Sequence, residues 1–311
     1  MRNPQDVSVV VVGSNNFDLV VKADRLPKEG ETHLVNNLQF FRGGKGANQA
    51  VAAARMGAKA SFVGSVGKDP IGDFLLRGLK SEGIDTTWVK QTTDRATGCA
   101  FIMIFQTGNN CIIVDPAANL ALTPADIENA REVIERADAV VSVLEIPMEA
   151  VEAAFRLARK ARKLVVLDAG PPRPCPLEIL RLADVVSPNE TELAYLTGEE
   201  VSGRASARQA AQKLLEDGIK MVILKLGSDG SMLVTPQGAN HFPAFRVEAV
   251  DPTAAGDAFT AAFTVDYAAG AKIDDAIRFA NAAGALAATR LGAQPSLPKR
   301  KEVEEFLARQ A

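Results

Sequence analysis

Short β-branched runs alternate along this chain with longer stretches of helical periodicity, and that alternation restricts the fold more than any other feature. Residues 7–12, 60–66, 139–144, 164–168, 184–187 and 221–226 read as strands. Their apolar character is nearly continuous, as expected where both faces of a strand are covered. Between them the periodicity predicts helices over 47–56, 71–81, 124–136, 148–160, 191–196 and 205–216. Thr123 followed by Pro124 is a typical start, an N-cap hydroxyl before a proline whose missing N–H costs nothing at the first helical position. The expected fold class is α/β: a doubly wound, mostly parallel, Rossmann-like sheet flanked by helices.

Two stretches break the rhythm. Residues 19–41 and 97–114 hold alternating, β-prone segments at 32–35, 99–105 and 111–114. They read as pieces of a small β-sheet lying over the mouth of the main one as a lid, or alternatively as surface hairpins without a functional role. Residues 257–290, rich in Ala and Gly, read as two close-packed helices. No repeat or linker interrupts the chain, so one domain over 1–311 is expected.

Such a chain has the means to bury its sheet, with 311 residues of which 47% are hydrophobic. Its 35 basic and 38 acidic residues are interspersed for a formal net charge of -3, which gives no global field to attract nucleic acid or a membrane surface. A small-molecule partner is expected instead. Cys99, Cys111 and Cys175 form no CxxC pair, which fits reduced thiols and a cytoplasmic location. The first residues are too short and too polar for a signal segment, and no later run reaches a spanning length.

The most informative segment is Asp251-Pro252-Thr253-Ala254-Ala255-Gly256-Asp257, which leads straight into an apolar helical run. Small residues before a helix start let backbone N–H groups approach an anion, and the helix dipole favours negative charge there. A carboxylate on the same turn, Asp257, suits removal of a proton from a hydroxyl beside a transferring phosphoryl group. The other reading of Asp257 is a helix cap.

A second segment, Phe41-Arg42-Gly43-Gly44-Lys45-Gly46-Ala47-Asn48-Gln49, is neither a Walker A loop nor a dinucleotide fingerprint. It is a glycine turn that admits a ligand to the backbone, followed by a helix whose first turn presents Asn48. Gly13-Ser14-Asn15-Asn16-Phe17-Asp18 closes the first strand, where open α/β sheets line their ligand crevice. Asn16 and Asp18 offer donors and acceptors for a polyol, although an Asx turn uses the same residues. With no Gly-x-Ser-x-Gly elbow and only His33 and His241, dehydrogenase and hydrolase chemistry is disfavoured.

These two segments, with further matches from Gly13 to Ser296, resemble the ribokinase-like carbohydrate kinases over nearly the whole chain. The resemblance implies ATP-dependent phosphorylation of D-ribose at its 5-hydroxyl, giving ribose 5-phosphate and ADP. 2-Deoxyribose is the nearest alternative; fructose, adenosine or a non-catalytic sugar-binding role are more distant ones. It implies that Asn16, Asp18, Gly43, Gly44, Asn48 and Glu145 hold the sugar and that Asp257 is the base. Ala254, Ala255 and Gly256 would form an anion hole. Nucleotide contacts would come from Asn189, Lys225, Gly227, Ser228, Gly230, Gly256 and Asn281, although Gly227–Gly230 also reads as a plain turn and Asn281 as a satisfied helix residue. Asn189 and Glu192 would organise Mg2+, in part through water; the other reading of the pair is a helix cap. Asp251, Thr253, Arg290, Gly292 and Ser296 would form a K+ site. Pro252 departs from the family, which usually has Thr there, and this bears on the cation loop. An apolar lid edge further implies a homodimer through the lid.

Overall fold

In the computed structural model, residues 2–105 and 110–310 are described. Residues 106–109 of the 97–114 segment, and the two ends of the 1–311 span, lie outside the described residues. Among the described residues thirteen strands run in chain order: β1 (Ser8–Val12), β2 (Asn16–Ala23), β3 (Asn36–Gly43), β4 (Lys59–Gly67), β5 (Val89–Thr92), β6 (Cys99–Phe105), β7 (Asn110–Asp115), β8 (Ala139–Val143), β9 (Leu164–Asp168), β10 (Val185–Ser187), β11 (Val222–Lys225), β12 (Ser231–Thr235) and β13 (Gly238–Phe242).

Nine of them form one sheet in the order β13-β12-β11-β10-β9-β8-β1-β4-β5. It is parallel from β5 to β11, and β12 and β13 extend it as an antiparallel hairpin. Successive side chains of β1 feed opposite layers. Val9 and Val11 pack with Val141, Val166 and the helices Lys45–Arg55 and Ala255–Ala268, while Val10 and Val12 pack with Val140, Val165 and the helix Met148–Lys160. Each fully buried valine contributes on the order of 1.5–3 kcal/mol. Helices on both faces therefore follow from runs that are apolar at every position. The sheet turns direction at β1, with β4 on one side and β8 on the other, and ligand crevices of open α/β sheets lie at the carboxyl ends of such strands. No helix among the described residues is long and apolar enough to cross a membrane.

The remaining four strands form a separate small sheet, β3-β2-β6-β7, in which β2 and β6 are parallel and the outer pairs antiparallel. One face buries Val20, Ala100 and Ile102, with Phe41 and Ile104 against them. The other presents a register row of Phe40, Leu19, Phe101 and Ile113. Phe40, Phe101 and Ile113 are 56%, 52% and 61% exposed.

The small sheet is more extensive than the sequence suggested. Asn16 and Asp18 do not close the first strand; they open β2, because the chain leaves the main sheet at Gly13, where it packs on Gly46. Nor is 32–35 a strand: it has no neighbour to bond with and Leu34 is 89% exposed, so the ladder begins at Asn36. The expected helix over 124–136 is two, Pro124–Asn129 and Arg131–Arg136, divided where Ala130 turns out of helical geometry. The pair β12–β13 and the short β5 were not foreseen: β5 and β13 are polar and partly exposed, whereas β12 is a buried run whose apolar part is only Met232-Leu233-Val234, too short to stand out.

Candidate active site

Asp257 occupies the third position of helix Ala255–Ala268, whose N-cap is Ala254, so its carboxylate is not spent on capping. The side chain is buried and accepts from Asn48 Nδ2 at 2.9 Å on Oδ2 and from Gln49 Nε2 at 3.0 Å on Oδ1. Gln49 Nε2 also donates to Asp168 Oδ2 at 3.0 Å. Asp168 ends β9 and is fully buried. It accepts further bonds from Lys225 Nζ and Thr260 Oγ1, both at 3.0 Å, and from the Gly170 N–H at 3.1 Å. Burial opposes its ionisation, but Lys225 and Lys45 outweigh that and hold it below the usual carboxylate range. Asp257 shifts the other way: burial is the main cause, Asp168 adds to it, and Lys45, Asn48 and Gln49 only partly offset them. The result is a carboxylate with more than ordinary affinity for a proton.

Lys45 opens the helix Lys45–Arg55. Enclosure alone would lower its pKa, yet the carboxylates of Asp168, Asp257, Glu192 and Glu145 prevail and raise it above the ordinary lysine value. Its backbone N–H donates to Glu145 Oε2 at 3.1 Å, and the same oxygen takes the Ser14 hydroxyl. On the small-sheet side, Asn16 and Asp18 are buried next to the glycine turn. A Cβ on Gly43 would lie 1.9 Å from Asp18 Oδ2, and one on Gly44 would lie 2.7 Å from the Asn16 nitrogen. Gly44 in addition has φ of 86°, a region that favours glycine. Burial, with Glu145 and Asp257 adding to it, pushes the Asp18 carboxyl up to about 8. Asn16, Asp18, Gly43, Gly44, Asn48, Glu145 and Asp257 are thus brought together in one region.

The residues expected on the phosphate side come from other elements. A Cβ on Gly256 would stand 3.7 Å from Lys225 Nζ, so the turn Ala254-Ala255-Gly256 faces that ammonium group. Asn189 and Glu192 form a reciprocal capping box on the helix Glu190–Thr197, at 2.7 and 2.8 Å. Glu192 still reaches both Lys45 and Lys225 at 3.9 Å, so capping and a place in the site coexist. Gly227 and Ser228 lie in an exposed single turn closed by Gly230. Gly230 and Asn281 both meet Phe242 O, the former by close approach and the latter through a 3.4 Å bond. In the loop expected to hold a cation, Asp251 accepts from Thr253 N and Gly292 N, each at 2.9 Å. The side chains of Arg290 and Ser296 are engaged beside it, with Glu302 and the Ala293 carbonyl. Because Asp251 bonds the N–H two residues on, the missing N–H of Pro252 leaves this turn intact.

The sequence matches the profile described as pfkB family carbohydrate kinase over residues 6–300. The chain belongs to the pfkB family of carbohydrate kinases. It is 40% identical over 299 residues to a ribokinase of Staphylococcus aureus, covering 96% of this chain and 98% of that protein. To a deoxyribokinase of Salmonella typhimurium it is 35% identical over 303 residues, covering 97% and 99%. A solved structure of Arabidopsis thaliana ribokinase complexed with ribose and ATP is similar at a TM-score of 0.90 and 37% identity, covering 97% of this chain and 98% of that one.

Five residues of this pfkB family site carried no role in the sequence reading. Lys45 and Gln49 stood inside a recognised motif but were treated as its frame. Asp168 gave a usable signal, a carboxylate at the carboxyl end of a buried strand, whereas Thr260 gave none. Asn119, buried 103 residues from its partner, donates to Asn16 Oδ1 at 2.7 Å and accepts from Asn15 N at 2.9 Å, which fixes the Asn16 amide. Asn48 Oδ1 and Gln49 Oε1 are buried without partners among the described residues. Each such acceptor costs roughly 1–3 kcal/mol, a burden typical of sites that await a ligand or serve one.

Two outcomes follow from this geometry. Gly43→Ala should keep the fold, read by circular dichroism, yet weaken sugar binding roughly 100-fold or more, because the methyl displaces the Asp18 carboxylate; calorimetric affinity within a few-fold of wild type would contradict the close approach. The second concerns pH. Asp18 titrates at about 8 in the folded chain against 3.8 as an ordinary side chain, so its contribution to stability is complete below the lower value and lost as pH rises through the higher. Denaturant unfolding of the free protein should therefore lose stability between these values, and Asp18→Asn should lose markedly less. Parallel profiles for the two proteins would refute the assignment.

Proposed function

We propose that this chain phosphorylates the 5-hydroxyl of D-ribose with ATP, with Asp257 as general base. The observation that carries the reading is a buried carboxylate of raised proton affinity, set between a polyol-type polar cluster and a helix N-terminus facing Lys225. Asp257 takes the hydroxyl proton; the oxygen bonds to the γ-phosphorus while the bond to the β–γ bridging oxygen breaks and ADP departs. Ala254 and Gly256 offer N–H groups to the transferring phosphoryl, the Ala255 N–H being bonded to the Pro252 carbonyl at 3.1 Å, and Lys45 and Lys225 balance its charge. Ribose is favoured over 2-deoxyribose by the higher identity to the ribokinase than to the deoxyribokinase. In this reading the small sheet closes over the sugar as a lid, and 1–311 works as one domain.

Among the described residues no group of three or more His, Cys, Asp or Glu side chains could hold a metal. That suits Mg2+ arriving on the nucleotide, with Asn189 and Glu192 acting partly through water, since this ion keeps several waters. Bound with ATP, it would neutralise charge on the phosphates. Asp251, Thr253 and Gly292 are already drawn together, and with the backbone of Arg290 and Ser296 they supply the hard oxygens that suit K+.

ADP release with MgATP, with and without K+, should favour D-ribose over 2-deoxy-D-ribose, D-fructose and adenosine. Asp257→Ala should lower kcat by about 10²–10⁴ while leaving the ribose Kd within a few-fold. Preference for another acceptor would overturn the sugar, and an active Asp257→Ala the base. The exposed Phe40–Phe101–Ile113 row supports a homodimer in which two small sheets cover each other. Sedimentation should give a dimer that Phe101→Glu converts to a monomer; a monomeric wild type at micromolar concentration would count against this pairing.

A further inference from the structure

Gln49 stands in an unusual position. Its single amide nitrogen serves two buried carboxylates, Asp257 Oδ1 and Asp168 Oδ2, both at 3.0 Å. Both acceptors demand donors, so the nitrogen has to face them, and the amide oxygen is left buried without a partner among the described residues. A residue present only to fill the core would leave no such acceptor stranded. Beyond Gln49, Asp168 is held from three further sides, by Lys225, Thr260 and the Gly170 N–H. Asp257, Gln49, Asp168 and Lys225 therefore form one unbroken chain of hydrogen bonds from the sugar side to the nucleotide side.

We propose that Gln49 and Asp168 are positioning residues for Asp257, fixing the orientation of its carboxylate and coupling it to Lys225. The inference rests on the reading of Asp257 as the base. With Oδ1 pinned by Gln49 and Oδ2 steadied by Asn48, the carboxylate cannot rotate away from an incoming hydroxyl. The charges that face it are Lys45, Asp168 and Asp18. Of these Asp168 opposes a second negative charge nearby and so favours Asp257 gaining a proton, while the Gln49 N–H favours the ionised form.

Opposite signs make the pair testable. The pH dependence of kcat/KM for the sugar has an acid limb set by the base. Asp168→Asn removes a negative neighbour and should move that limb down by roughly 1 pH unit. Gln49→Met removes a donor at similar volume and should move it up, with kcat reduced roughly 10–100-fold and the sugar Kd little changed. Circular dichroism and nucleotide affinity report whether each variant is folded, and either variant alone tests the sign. Limbs that stay in place, or move against these signs, would overturn the positioning role even where kcat falls. Asp257→Asn in parallel separates the two levels: if it stays active the base assignment fails and takes the inference with it, whereas an inactive Asp257→Asn beside unmoved limbs removes the inference alone.

Discussion

Mutual neutralisation of charge at the carboxyl ends of the central strands is the constraint on which the rest of the structure depends. Lys45 meets the fields of Asp168, Asp257, Glu192 and Glu145, and Lys225 bonds Asp168 directly. At the effective dielectric of a protein, a pair of unit charges at about 4 Å interacts by ~4 kcal/mol, and removing one partner from a buried pair costs about as much. These groups come from two helices near opposite ends of the chain, from β9 and β11, from the helix after β10 and from the turn after β8. They are brought into range only when the parallel sheet is assembled in its correct order. The order is in turn enforced by valines that face alternate layers, so apolar packing and polar convergence specify the same arrangement.

The main sheet was legible because its strands are buried on both sides, which leaves a continuous apolar run that chance seldom imitates. The residues 148–160 and 164–168 were read with the bounds the structure has. The small sheet was harder. It buries only one of its faces within the chain, β2 and β3 mix Asp, Asn, Lys and Gln with hydrophobic residues, and the ends of these strands that meet the glycine turn are fixed by contacts there. Local alternation at 32–35 imitated a strand without a partner to pair with. The hairpin β12–β13 escaped for a related reason, its second strand being largely exposed.

The site shows the same division between local and distant information. Asp257 and the glycine motif announce themselves because a turn, a helix start and a chemical group coincide within a few residues. Asn189 was read both as a cap and as a functional residue; the capping is present, and it holds Glu192 where it still faces the two lysines. Asn119 carries no local signal, and the motif around Gln49 does not tell its partner. Their work is to orient another side chain more than 100 residues away, and hydrogen bonds of that separation leave no spacing to read.

The glycines and alanines of the two motifs, similar in sequence, answer to different demands. At Gly13 and Gly46 a Cβ would fall 2.6–2.7 Å from the backbone of the facing residue, so packing within the protein forbids a side chain there. Ala254 is held at φ of 62°, a left-handed conformation that costs an L-residue roughly 1–2 kcal/mol, in a turn closed by the bond from the Ala255 N–H to the Pro252 carbonyl. Gly256 lies in ordinary helical space, and a Cβ on it would meet Lys225 at no closer than 3.7 Å, a comfortable contact. Nothing in the protein itself excludes alanine at that position. The space kept open lies between a helix N-terminus and an ammonium group, beside the Asp257 carboxylate, and under the proposed chemistry a phosphoryl group in transfer is what would occupy it.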